Sequence, residues 1–83
     1  MPQTTNPRPF YGTADEHIAW AKQRALEYVD RGDLTNALSS LTSDLHNHPD
    51  TAQHPAIELG TMLAFGGHLR TAKEMRDWIE GVQ

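Results

Sequence analysis

Residues 13–45 read TADEHIAWAKQRALEYVDRGDLTNALSSLTSDL. This stretch decides the fold because it holds two helices and the stop between them. Thr13 and Glu16 have the Thr-x-x-Glu spacing of a capping box, in which each side chain satisfies a free backbone N–H of the other residue. Asp15 adds negative charge where the helix dipole is positive. Ala14, Ile18, Ala21, Ala25, Tyr28 and Val29 then recur at intervals of three and four, the period of one helix face. Gly32, with Arg31 beside it, suits the left-handed backbone that closes a helix. Asp33 restarts the chain as the next N-cap. Leu34, Ala37, Leu38, Leu41 and Leu45 form a second stripe, and Ser39, Ser40, Thr42, Ser43 and Asp44 are expected to face water. So short a turn forces the two helices to pack antiparallel.

The pattern continues downstream. His48-Pro49 ends the second helix, since a residue before proline avoids the helical region, and residues 46–54 are expected to form a loop. Pro55 suits a first helical position, which predicts a third helix over 55–66. Its Ile57, Leu59, Met62, Leu63, Ala64 and Phe65 point nearly all round, so this helix is expected to be central or covered by a partner. Gly66-Gly67 ends it. Thr71 and Glu74 form a second capping box and open a fourth helix over 71–81. There Ala72, Met75, Trp78, Ile79 and Val82 are expected to face inward, and Lys73, Arg76, Asp77 and Glu80 outward. Upstream, Pro2, Pro7 and Pro9 precede Phe10-Tyr11-Gly12, which predicts an extended, flexible arm over residues 1–12. The expected architecture is all-α: a small array of two antiparallel helical hairpins, about four helices, forming one domain over 13–83 behind an extended N-terminal arm.

Composition narrows the function. The chain has 83 residues, enough for one domain and a small core, so self-association would help its stability. A net charge of -4 disfavours wholesale binding to phosphate backbones, though a local basic patch is compatible with it. The absence of cysteine excludes disulfide scaffolds, thiolate catalysis and cysteine-based zinc sites. The N-terminus lacks the apolar core of a signal peptide. Met62-Leu63-Ala64-Phe65, the longest apolar run, is far too short to span a bilayer.

Two resemblances follow from particular residues. A shift of about 34 residues superposes Ala25 on Leu59, Tyr28 on Met62, Val29 on Leu63, Gly32 on Gly66, Leu38 on Ala72, Leu41 on Met75 and Leu45 on Ile79, and this is the tetratricopeptide spacing. Residues 18–51 resemble one such repeat, with Ala21 where that family prefers tryptophan and Asp44 where it prefers alanine. The segments Ala25-Leu26-Glu27-Tyr28-Val29-Asp30, Gly32-Asp33-Leu34-Thr35-Asn36-Ala37 and His54-Pro55-Ala56-Ile57-Glu58-Leu59-Gly60 look like those of small uncharacterised proteins of actinobacterial phages, over about residues 17–81. That resemblance implies a phage source and a host bacterial cytoplasm, and it implies no activity.

Several constellations bear on chemistry. Trp20 falls away from the main stripe of its helix, close to Arg24, and exposed tryptophan beside arginine is a frequent make-up of a binding hot spot. With Phe10 and Tyr11 of the arm, these residues form the expected protein-binding surface; the plainer reading is that the arm or a neighbouring helix covers Trp20. His68, Arg70, Lys73 and Arg76 line one edge of the fourth helix and would serve a helix-turn-helix reader of DNA, against which stand Glu74, Asp77 and Glu80. His46, His48 and His54 cluster around one loop and have the chemistry of metal ligands, but loop histidines are commonly solvated or act as caps, and no metal or cofactor is expected. Arg31-Gly32-Asp33 spells an adhesive tripeptide and is more simply a helix-stop, helix-start junction. Glu58 is a candidate for a partly buried acid, and no nucleophile–base pair or phosphate loop accompanies it.

These observations predict a non-enzymatic helical protein-interaction module, a phage accessory protein binding a host or phage protein, with self-association through helix 55–66 and no membrane role. The alternative is a small DNA-binding regulator that uses helix 71–81.

Overall fold

Thr13 opens the described part of the chain: the structure, a computed structural model, describes residues 13–83, so Phe10, Tyr11 and the expected arm lie outside it. Four helices follow: α1 (Ala14–Asp30), α2 (Leu34–His46), α3 (Pro55–Phe65) and α4 (Ala72–Gly81). No strand occurs among the described residues.

Each boundary has a local cause. Both capping boxes form. Glu16 N–H donates to Thr13 Oγ1 at 3.1 Å while Thr13 N–H donates to Glu16 Oε1 at 2.9 Å, and Thr71 and Glu74 repeat the exchange at α4. Asp33 caps α2 by accepting from Asn36 N–H. His54 caps α3, its Nδ1 accepting from Ala56 N–H at 2.9 Å. Gly32 and Gly67 follow α1 and α3 with φ of 76° and 79°, a backbone that a side chain would strain.

The core is built on α1 and α2. Ala21, Ala25 and Ala37 are fully buried, and small side chains there let two helices approach closely. Near the start of α1, His17 Nε2–H donates to the Asp44 carbonyl near the end of α2, at 2.5 Å, so the pair runs antiparallel. Leu41 and Leu45 fill the space beneath. The short α4 lays Met75, Ile79 and Val82 against α1 and α2. Lys22 of α1 secures its far end by donating to the carbonyls of Glu80 (2.9 Å) and Val82 (2.8 Å), and Arg76 pairs with Asp30 at its near end.

The second pair of helices is more open than the first. No Cα of α3 lies within 8 Å of one in α4. Trp78 spans the gap with its ring over Gly60: a Cβ there would sit 2.7 Å from two Trp78 ring carbons and 3.0 Å from Leu38 Cδ1. His54 Nε2–H donates to the Gln83 carbonyl at 2.6 Å and ties the start of α3 to the C-terminal segment.

Several expectations need correction. The helix expected over 55–66 ends at Phe65, with Gly66 as its C-cap. Of the two placements expected for it, the central one fails: α3 makes its close backbone contacts with α2 alone. Ala72 faces solvent, because α4 begins there with its first turn outside the core. Asp44 is buried instead of wet, and Ser40 keeps a buried hydroxyl without a hydrogen-bond partner. Glu58 is exposed and is no partly buried acid.

Candidate protein-binding surface

The expected surface around Trp20 and Arg24 is engaged by the fold itself. The Arg24 guanidinium lies 4.9 Å from the centre of the Trp20 ring, and its Nε donates to Asp44 Oδ2 at 2.7 Å. His17 stands on the other side of this cluster, 5.3 Å from Trp20 and 4.8 Å from the ring of His48. A charge buried like that of Asp44 is tolerable only when paired and hydrogen-bonded, and Arg24 supplies that partner. Trp20 remains half-buried. The Trp20 and Arg24 side chains thus both have partners within the fold.

His46, His48 and His54 have separate tasks. His46 is exposed. His48 is buried, and its Nδ1 accepts from Asp50 N–H at 3.0 Å. His54 caps α3 and holds Gln83. Among the described residues no group of three such side chains is placed to hold a metal ion.

The basic edge of α4 is largely neutralised within the chain. Lys73 Nζ donates to Asp77 Oδ2 at 2.6 Å, and that hydrogen bond, with the charge of Asp77, raises the ammonium pKa above its ordinary value. Arg76 is held by Asp30. Glu74 accepts the backbone N–H groups of Arg70 (3.0 Å) and Thr71 (3.1 Å), first Arg70 and then Thr71, and these bonds hold its carboxyl below the ordinary range. His68 and Arg70 stay exposed at the start of the segment. A phosphate backbone would meet two cations already paired and a carboxylate held in its charged form.

The outer flank of α3 differs from all of these. Leu59 is 46%, Met62 68% and Phe65 89% exposed. They lie at successive steps of three along one short helix, with Thr61 exposed between them. Phe65 also borders a shallow groove with Leu38, Thr61 and Ala64. Isolated apolar residues on a surface are ordinary, but large ones grouped on a single helix are a candidate interaction site. The all-round apolar pattern of 55–66 had singled out this helix. It could not name the outward residues, because only the placement of α2 and Trp78 decides which side is covered. The buried polar residues His17 and Asp44 left no pattern to find: His17 looks like a first-turn polar residue, and Asp44 lies in a run of serines.

No family model matches the chain, and no curated protein or solved structure was found to be similar to it.

Proposed function

We propose that the chain is a non-enzymatic protein-binding module whose docking surface is the outer flank of α3. The observation that carries this reading is the exposure of Leu59, Met62 and Phe65 together on one helix. A phenylalanine ring this exposed adds little to the fold, while burying it in an interface is worth about 1.5–3 kcal/mol. Trp20 and Arg24, by contrast, already have internal partners, so they shape the neighbouring surface rather than anchor a visitor.

The setting follows from the resemblance to small actinobacterial phage proteins: an accessory protein in the host cytoplasm that binds a host or phage protein. No helix among the described residues is long and apolar enough to cross a membrane. A DNA-binding role for the 71–81 helix is the weaker reading, since Lys73 and Arg76 are both paired with carboxylates.

The test is affinity capture of the tagged chain from infected actinobacterial cells, read by mass spectrometry. Phe65→Ser is expected to lose the captured protein, while Trp20→Ala and Lys73→Ala keep it. Retention in Phe65→Ser with loss in Trp20→Ala would move the site to α1. A salt-sensitive shift of duplex DNA, abolished by Arg70→Ala with Lys73→Ala, would replace this reading with the regulator.

A further inference from the structure

We infer that the α3 flank is built to meet a second copy of itself, in an antiparallel pair about a twofold axis passing beside Met62. The inference rests on the reading of α3 as a docking surface and names its occupant.

The first reason is symmetry in the positions. Leu59 and Phe65 lie three residues on either side of Met62. A twofold axis at Met62 therefore sets each Leu59 against the partner copy's phenylalanine and each Met62 against its own counterpart. An isologous contact requires such self-complementarity. All three side chains are exposed at 46%, 68% and 89%, so no rearrangement of the core is needed.

The second reason is charge. Glu58 is exposed in the first turn of α3 and makes no ion pair among the described residues. Arg70 is exposed beyond the other end, and its carboxylate partner is likewise absent among the described residues. Its side chain folds back toward that end: Arg70 Nε lies 3.1 Å from the position a Cβ on Gly67 would take. The flank is thus acidic at its start, apolar in the middle and basic at its close. Reversing one copy against the other brings each Glu58 toward an Arg70 and the apolar side chains together. A parallel arrangement would place like charges side by side.

The third reason sets the strength. α3 has 11 residues and is about 16 Å long at 1.5 Å per residue. Stable interfaces take about 800 Å² from each partner, and three side chains on so short a helix supply only part of that. The dimer is therefore weak, with a dissociation constant between about 1 µM and 1 mM.

Sedimentation equilibrium of the full chain from about 0.1 µM to 1 mM spans this range of affinity. The average mass is expected to climb from the monomer value of 9.3 kDa toward twice that. Met62→Glu and Met62→Lys each place like charges on the axis and are expected to be monomeric throughout, with unchanged far-ultraviolet circular dichroism. Mixed in equal amounts, they are expected to associate again, a result specific to a twofold contact. Phe65→Ser supplies an independent disruption at the most exposed position. Glu58→Arg is expected to weaken association several-fold, and adding Arg70→Glu to restore it. A wild-type chain that stays monomeric at 1 mM, a Met62→Glu variant that still dimerises, or a charge-swapped mixture that stays monomeric would each overturn the inference. If the chain is monomeric but Phe65→Ser still loses a captured protein, the docking surface stands and only its self-pairing falls. If it dimerises through α3 and captures no other protein, the foreign partner falls instead.

Discussion

Leu41 in α2 and Phe65 in α3 are both large apolar residues on amphipathic ground, and the fold treats them oppositely. Leu41 is wholly enclosed between α1, α2 and the docked α4, whereas Phe65 is 89% exposed. The difference begins in the turns. Gly32 and Asp33 return the chain within a few residues, so α1 and α2 zip together along buried alanines. The segment from Gly66 to Thr71 instead carries α4 away from α3 and onto α1 and α2. One hairpin closes on itself and becomes the core. The other opens and leaves one helix with a bare flank, so the proposed docking surface is the remainder of a packing arrangement that α4 completed elsewhere.

Truncating the same kind of side chain in the two regions should separate them most widely. Leu41→Ala leaves a cavity in the core and is expected to cost about 2–5 kcal/mol. That is a large share of the roughly 5 kcal/mol available to a small domain. Phe65→Ala is expected to stay within about 0.5 kcal/mol. Urea denaturation followed by circular dichroism, at a concentration low enough to keep the chain monomeric, measures both. Comparable losses in the two variants would mean that α3 is covered within the chain, and the contrast would fail.

A narrower contrast concerns charge. The Asp44 side chain is 10% exposed against Arg24, while Asp30 is 67% exposed against Arg76. Removing one member of an enclosed pair strands the other, and an exposed pair leaves water to take over. Asp44→Ala is expected to cost about 1–3 kcal/mol, with Arg24 only partly enclosed. Asp30→Ala is expected to cost less than about 1 kcal/mol. Thermal unfolding at low and high salt checks both values, and only the Asp30 effect should fade as salt rises.

How far the sequence carries follows from the same division. Elements set by neighbours in the chain were legible: both capping boxes, Asp33 as a cap, and the closing glycines depend on residues a few positions apart. The stripe of α1 and α2 was legible for the same reason, because a three-residue turn fixes which faces meet. What depends on long reach was not. Asp44 belongs to a hydroxyl-rich face by spacing and becomes buried only because Arg24 and His17, on another helix, enclose it. Ala72 sits on the apolar stripe of α4 but falls outside the patch that α4 lays on the core. For the candidate site, the unusual helix was evident from its composition. The exposed residues on it were not, since Gly60 has no side chain to advertise that Trp78 covers its side.

The smallest contrast lies between the two capping boxes. Glu16 accepts one backbone N–H, from Thr13, whereas Glu74 accepts two, from Arg70 and Thr71. These bonds favour the charged carboxylate and hold Glu74 below its ordinary value of 4.5. A carboxyl whose pKa is lower folded than unfolded stabilises the fold above the ordinary value, and that contribution is lost as pH falls through the folded value. Glutamine at the same position still accepts both N–H groups and keeps the box, so Glu74→Gln removes the charge and little else. The melting temperature of wild type is therefore expected to exceed that of Glu74→Gln slightly near pH 7. The gap should narrow as pH drops below about 4.5 and close once Glu74 is protonated in both states. A gap that stays constant from pH 7 to pH 3 would show that α4 is capped by shape alone. The second acceptor bond, the one feature in which the box at α4 exceeds that at α1, would then carry no electrostatic weight.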